Sequence, residues 1–319
     1  TWILLGTVEP SNTIFLFAKS MEIDSSGGRD WTVSIAIPSS IVDNAQSQEL
    51  RSYLIGQIAR SLIIFNIDEI VVYDETCSGS ETTKEQSLSR CQQTLQMTVR
   101  ILEYLECPQY LRKQLFPLQP CLRYAGLLNP LESPHHLSIT DQCPYREGVV
   151  LDKLNQNGFS CVDIGLKQDC EIDRCLQPGI RVTIKIDPDC SHKRKTSRLK
   201  GVVVSPSEPR EKCGIYWGYS IRIAHSLSDV LNQCPFDDNG SYDLRIGTSD
   251  KGDNIDRSLK KIPNQFKHLL IVFGGLRGIE YAHQSDRSLR ATIETSNLFD
   301  YYLNTCPNQG SDTIRTEQY

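Results

Sequence analysis

Three short runs in the last third of the chain have the residue types needed to hold a small ligand through the backbone. They are Arg245-Ile246-Gly247-Thr248-Ser249, Val272-Phe273-Gly274-Gly275-Leu276-Arg277-Gly278 and Asn304-Thr305-Cys306-Pro307-Asn308-Gln309-Gly310-Ser311. Each leaves a segment of strand character. Glycine at a strand exit permits positive φ and lets amides and carbonyls come close to a ligand. That suits an adenosine-like group held mainly by backbone hydrogen bonds, and ordinary tight turns are the alternative for any one run. Phosphate and hydrolase signatures do not occur. There is no G-x-x-x-x-G-K-[ST], the run from Gly274 to Gly278 is not G-x-G-x-x-G, and neither H-E-x-x-H nor G-x-S-x-G is present. No metal site is expected, because the one close grouping, Cys170, Cys175, Cys190 and His192, is spaced more widely than the commonest zinc pair.

A second kind of chemistry is electrostatic. The chain has 34 basic and 39 acidic side chains, a net charge of −5, which by itself argues mildly against a nucleic-acid binder. From His192 to Lys200, however, Lys193, Arg194, Lys195, Arg198 and Lys200 occur with no acidic residue among them. Such a run is either a solvated loop or a contact for a phosphate backbone.

The elements that would position these residues follow from periodicity. Thr32 to Ile37 reads as a strand ended by Pro38-Ser39-Ser40. Leu50, Leu54, Ile58 and Leu62, with Ile55 and Ala59, predict a helix capped by Asp43, Asn44 or Ser47. Glu69 to Tyr73 is a buried strand, which completes a parallel strand-helix-strand unit. A second helix is expected from Glu85 to Glu106, with Leu88, Leu95 and Leu102 on its core face. Between residues 142 and 205 the pattern changes to short alternating runs at 149–151, 161–164, 180–186 and 202–204. These predict a small barrel of the oligonucleotide-binding type. The α/β alternation then resumes, with strands at 216–223, 242–246 and 268–273, a helix at 226–232 and a last element at 298–303.

The domain plan is therefore one α/β domain from 31–141 and 206–319, an inserted barrel at 142–205, and an N-terminal segment at 1–30 with no assigned role. The longest apolar runs fall short of the roughly 18 residues that span a bilayer. The 12 cysteines are scattered without a C-x-x-C pair, as expected for reduced thiols. No secretion pattern occurs in the first 26 residues, so cytosol or nucleus is expected.

Gly56-Gln57-Ile58-Ala59-Arg60 followed by Phe65 to Val72 resembles the first motif of the SPOUT class of S-adenosylmethionine-dependent RNA methyltransferases. Gly310-Ser311-Asp312-Thr313-Ile314-Arg315-Thr316-Glu317 is similar to the last motif of its uridine-N3-methylating branch. Residues 43–46, 105–112 and 126–131 are similar to the eukaryotic SPOUT-domain branch associated with centromere and spindle, and the resemblance covers about 31–317. It implies a parallel sheet whose C-terminal part is tied in a trefoil knot, a homodimer, a barrel that binds RNA, and a nuclear or nucleolar location, with the spindle or kinetochore in mitosis. By this resemblance S-adenosylmethionine would be held by Gly247, Thr248, Gly274, Gly275, Gly278, Asn304, Cys306, Pro307, Gln309, Gly310, Ser311 and Ile314. Arg60 would clamp a phosphate or stabilise developing negative charge, since a guanidinium is too basic to act as a base. Arg277 and Arg315 join the basic run as expected RNA contacts. The implied reaction is methylation of uridine N3 in ribosomal RNA, with ribose 2′-O methylation and a catalytically silent RNA-binding or spindle scaffold as the alternatives. The family continues past this last motif into a helix threaded through the knot, so a C-terminal helix is expected to be missing here.

Overall fold

The computed structural model describes residues 27–76, 84–187, 199–289, 291 and 294–311, with the backbone alone at 84–91. Six parallel strands form the main sheet: β1 (Thr32–Pro38), β2 (Glu69–Tyr73), β8 (Ser220–Ala224), β9 (Leu244–Asn254), β10 (His268–Val272) and β11 (Tyr301–Asn304). Their spatial order is β11-β9-β10-β1-β2-β8. The central strands β1, β2 and β10 are buried along their whole length. Near-continuous apolar runs of this kind belong to parallel sheets covered on both faces.

Alternate residues sort to the two faces. Val33, Ile35 and Ile37 pack with Ile70 and Val72 beneath helices α1 (Gln48–Ile64) and α2 (Lys84–Glu106). Ala36, Val71 and Tyr73 pack on the other face against residues of α5 (Leu227–Asn232) and α7 (Gly278–Ser285). The described residues also include the short helices α3 (Gln109–Leu115), α4 (Glu208–Cys213) and α6 (Ile255–Ser258).

Strands β3 (Tyr145–Leu154), β4 (Ser160–Asp163), β5 (Cys170–Glu171), β6 (Arg181–Ile186) and β7 (Leu199–Val204) close into a barrel in the order β3-β4-β5-β7-β6. Its core is Val150, Val162, Ile164, Cys170, Val182 and Ile184. The α/β sheet and the small barrel both agree with the sequence reading.

Four local expectations change. The strand placed at 216–223 begins only at Ser220, because Tyr216, Trp217 and Tyr219 are buried and their polar atoms bond to other segments. Leu50 is 53 % exposed although it belongs to the four-residue row. A spacing of four advances about 40° beyond a full turn, so a row that faces the sheet from Leu54 to Leu62 has rotated away by Leu50. Ser47 alone of the three proposed caps accepts a helix N–H, from Leu50 at 3.3 Å. The last element divides into a 3-10 turn at Thr295–Leu298 and β11. The side chain of Leu88 lies outside the described residues.

Gly247 and Thr248, expected at a strand exit, lie within β9. Tyr302 pairs with Gly247, but the next residue, Leu303, pairs with Asp253. Residues 248–252 therefore form an excursion, after which β9 rejoins β11. Gly252 sits against the β11 backbone, where a Cβ would stand 2.5 Å from the Leu303 carbonyl carbon.

Candidate active site

Ligands in open parallel sheets bind beyond the carboxyl ends of the strands. Here the order β11-β9-β10 sets the three glycine-bearing segments side by side. Side chains tie them together. Thr248 Oγ1 donates to the Val272 carbonyl at 3.1 Å, and Asn304 Nδ2 donates to the Asp250 carbonyl at 3.0 Å. Tyr73 donates its hydroxyl to the Phe273 carbonyl at 2.8 Å, which joins the exit of β2 to that of β10. Gly274 has no room for a Cβ, which would stand 2.6 Å from the Ile279 nitrogen, and Gly278 opens α7 at φ +75°. Beyond β11, Asn304 Oδ1 accepts from Cys306 N at 3.0 Å, Gln309 Nε2 donates to the Ser311 carbonyl at 2.9 Å, and Cys306 is exposed. The described members of the expected cofactor set thus share one edge of the sheet, whereas Ile314 lies outside the described residues.

This edge also holds polar atoms without protein partners. Among the described residues, buried side-chain atoms without a hydrogen bond include Glu75 Oε2 and Thr305 Oγ1 here and Ser34 Oγ within β1, whereas Tyr302 Oη lies beside Ser249 and Glu280. Burial pushes the Glu75 carboxyl above its ordinary pKa. Glu280 behaves differently. Burial works against its charge, but its own backbone N–H, the Ser249 hydroxyl (3.0 Å) and Lys251 (3.3 Å) hold its pKa below the usual carboxylate value.

Arg277 stacks its guanidinium over the Tyr281 ring at 4.7 Å, beside the glycine turn. Arg60 is exposed near the far end of α1, 12 residues past the start of the helix. At 1.5 Å per residue that is about 18 Å from the end nearest the strand exits, so within one chain Arg60 is not brought to the site. Lys200 is exposed on β7 of the barrel. Lys193, Arg194, Lys195, Arg198 and Arg315 lie outside the described residues.

Sequence reasoning missed how the barrel is fixed to the sheet. Arg181, on β6, binds Glu106 at 2.6 Å and Glu147 at 2.7 Å. Trp217 Nε1 and Thr183 Oγ1 both donate to Glu147, at 2.6 and 2.5 Å. The available signal was the alternation in Arg181-Val182-Thr183-Ile184, which sends Arg181 and Thr183 outward from the barrel core. Beside this junction a cavity of about 670 Å³ is lined by Asp68, Glu106, Glu147, Arg181, Trp217 and Ser220. Asp68 precedes β2 and Ser220 begins β8, so the cavity lies at the amino ends of these strands, opposite the glycine turns.

The junction also predicts acid sensitivity. Burial and the neighbouring His135 push the pKa of His136 down to about 4, from an ordinary 6.5. The unfolded chain then binds a proton that the folded chain refuses, so stability is lost as pH falls from about 6.5 toward 4. The full loss is about 3 kcal/mol. His136→Asn is expected to flatten this part of a plot of Tm against pH.

A family model described as "Putative RNA methyltransferase" matches residues 32–319. The chain belongs to this RNA methyltransferase family. It is 48 % identical over 298 residues to a "28S rRNA (uridine-N(3))-methyltransferase" of Homo sapiens, covering 91 % of this chain and 76 % of the relative. Proteins of the same description from Mus musculus and Drosophila melanogaster are 47 % and 45 % identical, covering 92 % and 90 % of this chain and 75 % and 60 % of theirs. An RNA methyltransferase requires a methyl donor. The unpartnered Glu75 Oε2 and Thr305 Oγ1 and the close-packed glycines are compatible with a polar ligand at the strand exits.

Proposed function

We propose that this RNA methyltransferase transfers a methyl group from S-adenosylmethionine to N3 of a uridine in ribosomal RNA. The observation that carries the reading is the 48 % identity to a 28S rRNA (uridine-N3)-methyltransferase across 91 % of the chain. The donor would be held by backbone groups of Gly247, Thr248, Gly274, Gly275, Gly278, Asn304, Cys306, Pro307, Gln309, Gly310 and Ser311, with Ile314 beyond them. When bound, it supplies a methyl group already activated by sulfonium. The protein's own tasks are to align the uracil nitrogen with that methyl, to favour loss of the N3 proton and to exclude water.

The target base must leave its stack to reach a strand edge. The barrel is the proposed RNA-holding module, with Lys200 and the neighbouring basic run along the phosphates and Arg277 beside the reacting base. In this reading the chain beyond β11 passes through the loop made by the excursion of β9, giving a trefoil knot. The parallel order β11-β9-β10-β1-β2 and the contact of Gly252 with Leu303 support it. A homodimer supplies Arg60 from the second copy. In support, Leu50, Tyr53 and Ile64 are exposed along the same helix as Arg60. A ribosomal RNA substrate accords with a nuclear or nucleolar location, and centromere and spindle association belongs to the same reading.

The test is nucleoside mass spectrometry of 28S rRNA fragments incubated with the purified protein and S-adenosylmethionine. N3-methyluridine is the expected product. A 2′-O-methyl mark alone, or no mark, would overturn the assignment.

A further inference from the structure

Glu75 closes the exit of β2 and is 6 % exposed. Ser40 Oγ, at the exit of β1, donates to its Oε1 at 2.5 Å, and its Oε2 is buried without a hydrogen-bond partner. The free oxygen faces the glycine turn, since a Cβ on Gly275 would stand 2.6 Å from it. Structural carboxylates in this chain are built otherwise. Asp68 binds Arg29 through both oxygens and also receives Val33 N. Glu69 binds Arg222 with one oxygen and Tyr242 with the other. A buried carboxyl oxygen without a donor carries a free-energy cost that a ligand N–H could relieve.

We infer that Glu75 Oε2 accepts the N3 proton of the target uracil. This rests on the uridine-N3 reading above. N3 of uracil bears a proton and is a nucleophile only once that proton is gone. In the step the N3–H bond breaks and the proton passes to Oε2. The N3 electron pair forms the new bond to the methyl carbon as the S–CH3 bond breaks, with its pair returning to sulfur, so that the sulfonium becomes a thioether. Glu75 then releases the proton to water. Ser40 is a positioning residue that fixes the carboxyl through Oε1, and Gly275 is the residue that lies against Oε2, so the turn at Gly274-Gly275 must move aside for the base to reach it.

The electrostatics favour a base of raised strength. Burial is the main cause of the raised pKa, Asp74 and Asp43 add to it, and the Ser40 hydrogen bond and Arg277 oppose it. The Tyr73 phenol, also close by, is itself pushed well above its ordinary value by burial. A stronger base narrows the gap to a weakly acidic N–H.

Glu75→Gln keeps the shape of the side chain but cannot take the proton. In single-turnover methylation of a 28S rRNA fragment, the variant is expected to be roughly 100-fold slower than the parent protein at neutral pH. Its rate should rise in proportion to hydroxide and recover on RNA carrying 5-fluorouridine, whose N3–H is more acidic. S-adenosylhomocysteine affinity, measured by calorimetry, should stay within about twofold. Ser40→Ala, which removes no buried charge, should lower kcat about tenfold at unchanged KM. A Glu75→Gln rate equal to the parent's would overturn the inference. So would a loss of S-adenosylhomocysteine affinity as large as the loss of rate, which would assign Glu75 to the donor instead. The parent protein's own product decides the uridine reading separately, and without N3-methyluridine from it both inferences fall.

Discussion

Arg181→Met is expected to destabilise the folded chain by about 3–5 kcal/mol, because it leaves two buried carboxylates without their cation. Arg181 donates to Glu106 through Nη1 at 2.6 Å and Nη2 at 3.0 Å, and to Glu147 through Nε at 2.7 Å. Both acids are buried. Burial alone would raise the pKa of Glu106, but Arg181 and His135 reverse this and hold it well below the usual carboxylate range. Without Arg181 burial prevails, so the deficit should be largest at neutral pH and shrink as acid protonates Glu106. Urea denaturation at several pH values measures this. Arg174→Met, which removes an exposed pair with Asp173, should change stability by no more than about 0.5 kcal/mol. A similar small change for Arg181→Met would mean that Glu106 and Glu147 are satisfied without Arg181, by His135, Thr183 and Trp217.

Gly252→Ala is expected to cost about 1–3 kcal/mol of stability and, if the proposed donor site is right, to lower S-adenosylhomocysteine affinity at least about tenfold, since a shift of ligand-holding loops by even 1 Å is damaging. The added Cβ would stand 2.5–2.8 Å from backbone atoms of Leu303 and Asn304. Backbone cannot rotate aside as a side chain can, so β11 must shift and carry with it the loop from Asn304 to Ser311. Gly126→Ala is the control, because a Cβ there meets nothing within 4 Å. Calorimetric titration of both variants separates a displaced loop from a general loss of fold. Unchanged affinity in Gly252→Ala would place the donor away from β11.

The legible parts of the candidate site were those written in local sequence. Glycines after apolar runs marked the three segments at one sheet edge, and that placement needs only a parallel sheet. Glu75 was not legible. It is one acid among the 39 Asp and Glu of the chain, and nothing near it in sequence indicates that Ser40 will take one oxygen and Gly275 will face the other. Those partners lie 35 and 200 positions away. The junction around Arg181 was hidden for the same reason, since Glu106, Glu147 and Trp217 come from three separate stretches of the chain.

The sequence by itself determined the classes of structure: buried strands from unbroken apolar runs, helices from recurring leucines and isoleucines, and a barrel from short alternating stretches. These follow from periodicity, which reports which side chains leave water and needs no knowledge of neighbours. Only the tertiary structure decided the order of the strands, the excursion of β9, the outward turn of Leu50 and the unpartnered oxygen of Glu75. Such features depend on which distant segments exclude water from one another, and a hydrogen bond left unmade becomes visible only when every neighbour is in place.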